Sequence, residues 1–137
     1  VERRMGFEQV MRTECRHLNV LPWIEGEEMV GVVEEKLSKL IAGNPNIVGL
    51  YSLGGGTRGV IGAIDSAEQK ISMVTTELSQ HTRAALISGT VDAVLVQDPS
   101  HEVRSAIRVL RALVDEAPIN EKQERIRIEI FMRDNLP

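Results

Sequence analysis

Gly54, Gly56 and Gly59 stand at the spacing G-x-G-x-x-G within the stretch LYSLGGGTRGVIGAI. Between a strand and a helix, such glycines let the backbone approach a pyrophosphate, which the amides of the helix start then hold. The carboxylate that a bound ribose needs has a candidate in Glu77, at the end of the next strand-like run, ISMVTTE. Two features oppose a dinucleotide. At least one strand–helix pair precedes the loop, whereas the fingerprint usually opens the first βαβ unit, and Leu53 separates the strand from the glycines. The competing reading is a tight glycine-rich turn. Other chemistries find less support. No serine, nor Cys15, sits in a nucleophile setting, no histidine–carboxylate pair has metal-ligand spacing, and one cysteine excludes an internal disulfide.

The elements that must position these residues alternate. Helical spacing predicts a helix over roughly 2–17, with Phe7, Val10 and Met11 on one face, and another over 26–42 through Met29, Val33, Leu37 and Leu40. NVLPWIE reads as a strand, although Pro22 weakens it. The nearly continuous apolar run 46–52 reads as a strand buried on both faces, 71–76 as the next strand and 91–97 as another buried one. A helix follows the glycines to about Glu68, a short one runs from Ser79 or Gln80 to Gly89, and Asp98 with Pro99 opens a third over 99–115. Its apolar stripe is Val103, Ile107, Leu110 and Val114. In RIRIEIFM, Ile126, Ile128, Ile130 and Met132 share one face and Arg125, Arg127 and Glu129 the other, which predicts an edge strand over 125–132. Strands separated by helices give an α/β fold with three layers and a mostly parallel sheet. Ligands of such sheets bind beyond the carboxyl ends of the strands. Here those ends are WIEG, YSLGGGTRG, TTELSQHT and VQDPS, where the polar residues concentrate.

With 137 residues, 42% apolar and 26% charged, the chain is enough for one domain with a core. A net charge of −4 gives no reason to expect nucleic acid or anionic lipid as a partner of this segment. No apolar run approaches the length of a membrane span. The chain opens on Val1 within a helical pattern, VERRMGFEQVMRTE, which suggests a piece of a longer protein.

The block TTELSQHTRAALISGTVDAVLVQDPSHEVRSAIRVLRALVD resembles the effector-binding core of the LacI/GalR family of bacterial transcription repressors, which is shared with periplasmic sugar-binding proteins. GLYSLGGGTRGVIGAI is similar to that family's equivalent loop, IEIFMRDNLP to its closing strand, and ERRMGFEQVM to the helix that opens its C-terminal lobe. The resemblance implies a periplasmic-binding-protein-like type I lobe over 1–137. Helix 99–115 would cross toward a second lobe upstream of Val1, and strand 125–132 would return. It further implies a cytoplasmic, homodimeric, non-enzymatic sensor with no cofactor, whose small-molecule effector, a carbohydrate, alters operator DNA binding through an upstream domain. A periplasmic sugar-binding protein of a transporter is the alternative reading, with a nucleotide-binding enzyme behind it.

The resemblance also implies ligand residues. Arg3, or Arg4 beside it, matches the arginine that reaches the ligand from the C-terminal lobe. Glu77 stands where many members have aspartate taking sugar hydroxyls, and otherwise it would cap the helix after it. Gln97 stands at a ligand or hinge position, since an amide both donates and accepts. Thr57 replaces an asparagine of several relatives, and Arg58 reaches the cleft or balances Glu77. His81 reads as a capping or interface residue, Trp23 as core rather than a stacking platform, and His17 and His101 as surface residues.

Overall fold

The strand-forming runs are short and each is closed by a defined turn, and this sets the element order. The computed structural model describes residues 2–137. In chain order the elements are α1 (Glu2–Thr13), α2 (Val30–Gly43), β1 (Gly49–Tyr51), α3 (Thr57–Asp65), β2 (Ser72–Thr76), α4 (Gln80–Ser88), β3 (Ala93–Gln97), α5 (Pro99–Val114), α6 (Glu121–Glu124) and β4 (Ile128–Phe131). A single 3-10 turn at Arg133–Asn135 follows. Capping residues account for several of the boundaries. Ser79 Oγ accepts from Thr82 N and Ser79 N donates to Thr82 Oγ1, closing a reciprocal cap on α4, which ends at Gly89 with φ 87°. Asp98 Oδ1 accepts from the amides of Ser100 and His101, with Pro99 at the first position of α5.

The sheet has the order β1-β2-β3-β4, with β1, β2 and β3 parallel and β4 antiparallel at the edge. This is the α/β, mostly parallel architecture expected. Paired residues share a face, so the register Thr75↔Val94↔Phe131 defines one side and Tyr51↔Val74↔Ala93 the other. The first side is the core. There Val33, Leu37 and Ile41 of α2 and Val60, Ala63 and Ile64 of α3 pack with Met73, Leu86, Val91 and Val94. The second side is thinly covered. Phe7 of α1 lies 5.3 Å from the Tyr51 ring, and α1 buries no residue.

Four expectations are corrected. NVLPWIE forms no strand, since Pro22 offers no amide to a ladder, and the sheet ends at β1. Helix α2 begins at Val30 rather than near Gly26, because Glu27 and Glu28 take left-handed φ values of 50° and 61° and build a turn. Of its expected stripe Met29 is exposed, and Ile41 takes its place in the core. In β4 it is Phe131, paired with the fully buried Val94, that packs on the core. Ile128 and Ile130 stay 63% and 55% exposed on the thinly covered side. The alternation in RIRIEIFM therefore marks the two faces but not which one is inward. The stripe of α5 is likewise uncovered, with Ile107, Leu110 and Val114 at 61%, 63% and 82% exposure.

Helix α5 is held instead by α6, which the sequence reading did not anticipate. Arg108 Nε and one terminal nitrogen donate to the two Glu124 carboxylate oxygens at 2.8 and 2.7 Å, and Ser105 Oγ donates to the Glu124 carbonyl at 3.4 Å. The Arg108 hydrogen bonds, with Ser105 beside them, hold the Glu124 carboxyl at a pKa of about 2 against burial. A carboxylate depressed when folded contributes stability above its ordinary value near 4.5 that is lost as pH falls from there toward 2. Protection of the α6 amides from hydrogen exchange should therefore be level from pH 7 to 5 and drop below 4.5, with no such drop in Arg108→Met. An α6 equally protected at pH 3 and 6 would contradict this.

Candidate functional site

Because β1, β2 and β3 are parallel, their carboxyl ends meet at one edge of the sheet. Antiparallel β4 begins at that edge, with Ile128 opposite Gln97. Glu77 and Gln97 stand at the ends of β2 and β3, Thr57 and Arg58 follow β1 through the glycine turn, and Arg3 reaches the edge from α1.

Arg3 lies in the first turn of α1 and donates through a terminal guanidinium nitrogen to Gln97 Oε1 at 2.8 Å, across 94 residues of sequence. Both side chains are exposed. A charge-assisted hydrogen bond fixes the amide's orientation, leaving its NH2 as donor and the rest of the guanidinium as further donors. Glu77 follows β2 directly and is exposed. Its backbone is left-handed, with φ 71°, although it is not glycine. Its amide donates to the Leu95 carbonyl at 3.1 Å, which holds it against β3.

The other two predicted residues are placed differently. Thr57 opens α3, and its hydroxyl donates to the Gly54 carbonyl at 2.8 Å, so its proton is used within the glycine loop. Arg58 is exposed in the same turn and forms no ion pair with Glu77 or any other described residue. The glycines themselves serve turn geometry and packing. Gly56 caps α3 with a left-handed φ of 81°, and Gly59 is buried where α3 crosses α2. His81 is exposed on α4. Among the described residues no group of three or more His, Cys, Asp or Glu could hold a metal ion.

Beside the edge lies a polar–aromatic cluster that the sequence reading missed. Trp23 is half-buried rather than in the core. Phe7 packs edge-on to it at 6.1 Å, and the Arg4 guanidinium lies over its ring at 4.9 Å. Glu8 Oε1 accepts from both Trp23 Nε1 and Arg4 Nε at 2.9 Å, and these bonds lower the Glu8 pKa. Arg4 is thereby engaged away from Gln97. The helical spacing of Arg4 and Glu8 was the available signal, but Trp23 is brought to them only by the turn after α1. His101, read as a surface residue, has a buried Nε2 with no hydrogen-bond partner. An open groove of about 580 Å³ runs along α1 beside Trp23, lined by Glu8, Arg12, Arg16 and Leu21 among others, and includes none of the predicted ligand residues.

Residues 1–118 match a family described as the periplasmic binding protein domain. The chain belongs to this family. Its solved structural neighbours are similar over nearly all of it. One is a carbohydrate transporter solute binding protein from Agrobacterium radiobacter in complex with D-arabinose, with TM-score 0.82 and 22% identity, covering 97% of this chain and 46% of that one. Another is GanP, a glucose-galactose binding protein from Geobacillus stearothermophilus, with TM-score 0.83, 20% identity, and coverage of 96% and 48%. A third is an ABC transporter solute binding protein from Agrobacterium vitis with bound D-fucose, with TM-score 0.81, 14% identity, and coverage of 97% and 46%. No curated protein matches the chain. At these identities the likeness establishes a periplasmic-binding-protein fold, and the chain spans about half the length of these neighbours. They are binding proteins rather than enzymes. Membership of LacI/GalR is a narrower statement than this match makes.

Proposed function

We propose that this periplasmic-binding-protein chain supplies one wall of a carbohydrate-binding cleft. The wall is the sheet edge that carries Arg3, Glu77 and Gln97. The observation that supports this most directly is the Arg3–Gln97 hydrogen bond, which groups donors and acceptors of the kind a ring of hydroxyls needs. The uncovered stripe on α5 supports a second lobe as its apolar partner, since leaving such side chains in water forgoes roughly 1.5–3 kcal/mol each.

Two of the neighbours are transporter solute binding proteins with bound sugars, and they favour a transport receptor for this chain. The regulator reading rests on the resemblance of residues 75–115 and would make the protein a cytoplasmic dimer whose sugar-driven lobe motion resets its DNA-binding heads. A helix-turn-helix encoded upstream of Val1 would decide for the regulator, and a secretory leader for the receptor.

Calorimetric titration of the complete protein with D-arabinose, D-fucose and D-tagatose tests the common core of both readings. At least one sugar should bind in the micromolar range or tighter. Arg3→Ala should weaken that sugar by roughly 10- to 100-fold, the scale of a hydrogen bond to a charged group. Full affinity in both Arg3→Ala and Gln97→Ala would remove this edge from the site.

A further inference from the structure

We infer that Thr82 is the positioning residue for Glu77: its buried hydroxyl holds Glu77 in the left-handed backbone conformation from which the carboxylate meets a ligand. This rests on the reading of Glu77 as a sugar-binding residue.

Among the described residues Glu77 is one of four non-glycine residues with positive φ, and the only one of those four that directly follows a strand at the sheet edge. An L-residue avoids this region because its Cβ crowds the backbone. Such a conformation persists only where the surroundings over-determine it. They do so here. The Glu77 amide is tied to Leu95, while its carbonyl accepts from Ser79 N at 3.1 Å and from Thr82 Oγ1 at 2.9 Å. Thr82 is 1% exposed, and the same oxygen accepts from Ser79 N at 2.8 Å. Its own amide donates to Ser79 Oγ, so the start of α4 locks the threonine in place. One hydroxyl thus binds both the carbonyl of the strained residue and the amide of the turn that follows. Without it Glu77 can relax to an ordinary negative φ. The carboxylate then leaves from a different direction, and a sugar must re-impose the strained state on binding.

The test uses the complete protein and whichever of D-arabinose, D-fucose and D-tagatose binds tightest, measured in Thr82→Val, Thr82→Ser, Glu77→Ala and Glu77→Ala/Thr82→Val. Valine keeps the shape and removes the hydroxyl, and serine restores it. Thr82→Val should weaken binding about tenfold and Thr82→Ser less than twofold. In the Glu77→Ala background the valine should add less than twofold. Its effect on the thermal midpoint should be similar in both backgrounds, so a merely structural role would not produce the affinity pattern. An equal affinity loss in both backgrounds, or none in either, overturns the assignment while leaving Glu77 in the site. If Glu77→Ala itself binds the sugar as tightly as the parent, the ligand role of Glu77 fails and the positioning role fails with it.

Discussion

Gly59→Ala is expected to lower folding stability by about 3 kcal/mol, the upper end for overpacking a closed core. A Cβ built at Gly59 lies 2.1 Å from the Val30 carbonyl oxygen, 3.0 Å from Glu34 N and 3.1 Å from the Val30 carbonyl carbon. All three are backbone atoms of α2, so no rotamer change relieves the clash and the helices must separate. That opens the packing of Val33, Leu37 and Ile41 against Val60, Ala63 and Ile64, the largest share of the core. Gly62→Ala, one turn on, is the control. Its Cβ meets the Glu34 carboxylate oxygen at 3.0 Å, at the end of a side chain that can swing aside. There the gain in helix propensity offsets the contact, and the change should stay within about 1 kcal/mol. Urea denaturation of the three proteins checks this. Equal stability of the two variants would mean that α2 and α3 do not approach as closely as described.

On the ligand role proposed for Glu77, Glu77→Ala should weaken sugar binding by about 2 kcal/mol, roughly 30-fold, since sugar hydroxyls would lose a charged acceptor. Glu77→Gly should lose binding to the same extent while the fold gains about 1 kcal/mol, since glycine takes φ 71° without a Cβ clash. Affinity falling as stability rises is what distinguishes a residue kept for a ligand from a capping carboxylate. Parallel titration and thermal melts of both variants read the two effects separately. A Glu77→Gly protein that is less stable and still binds sugar fully would assign Glu77 to the fold alone.

Much of the architecture was legible from residue types. Apolar runs bounded by turn residues marked β1, β2 and β3. Ser79, Gly89, Asp98 and Pro99 marked the boundaries of α4 and α5, because capping chemistry is local. Arg3, Glu77 and Gln97 were singled out by resemblance, and the common edge of Glu77 and Gln97 followed from the rule that parallel strands end together. Failures came where an outcome depended on partners distant in sequence. NVLPWIE has the apolar residues of a strand and lacks the pairing. In the turn Gly26–Met29 the left-handed positions fall on Glu27 and Glu28 rather than on the glycine, so no residue type announces them.

Residue order alone fixed the periodicity: which residues along one element share a face, and where the polar residues gather. Those follow from backbone sterics and from side-chain spacing along a single element. Which face turns inward was decided only by tertiary structure. Phe131 rather than Ile128 or Ile130 packs on the core because the register pairs it with Val94, and register is a relation between strands. The meeting of Arg3 with Gln97, and of Trp23 with Arg4 and Glu8, belongs to the same class. Each contact is a hydrogen bond or packing of a few ångströms' reach, and only the folded sheet brings such distant positions within it.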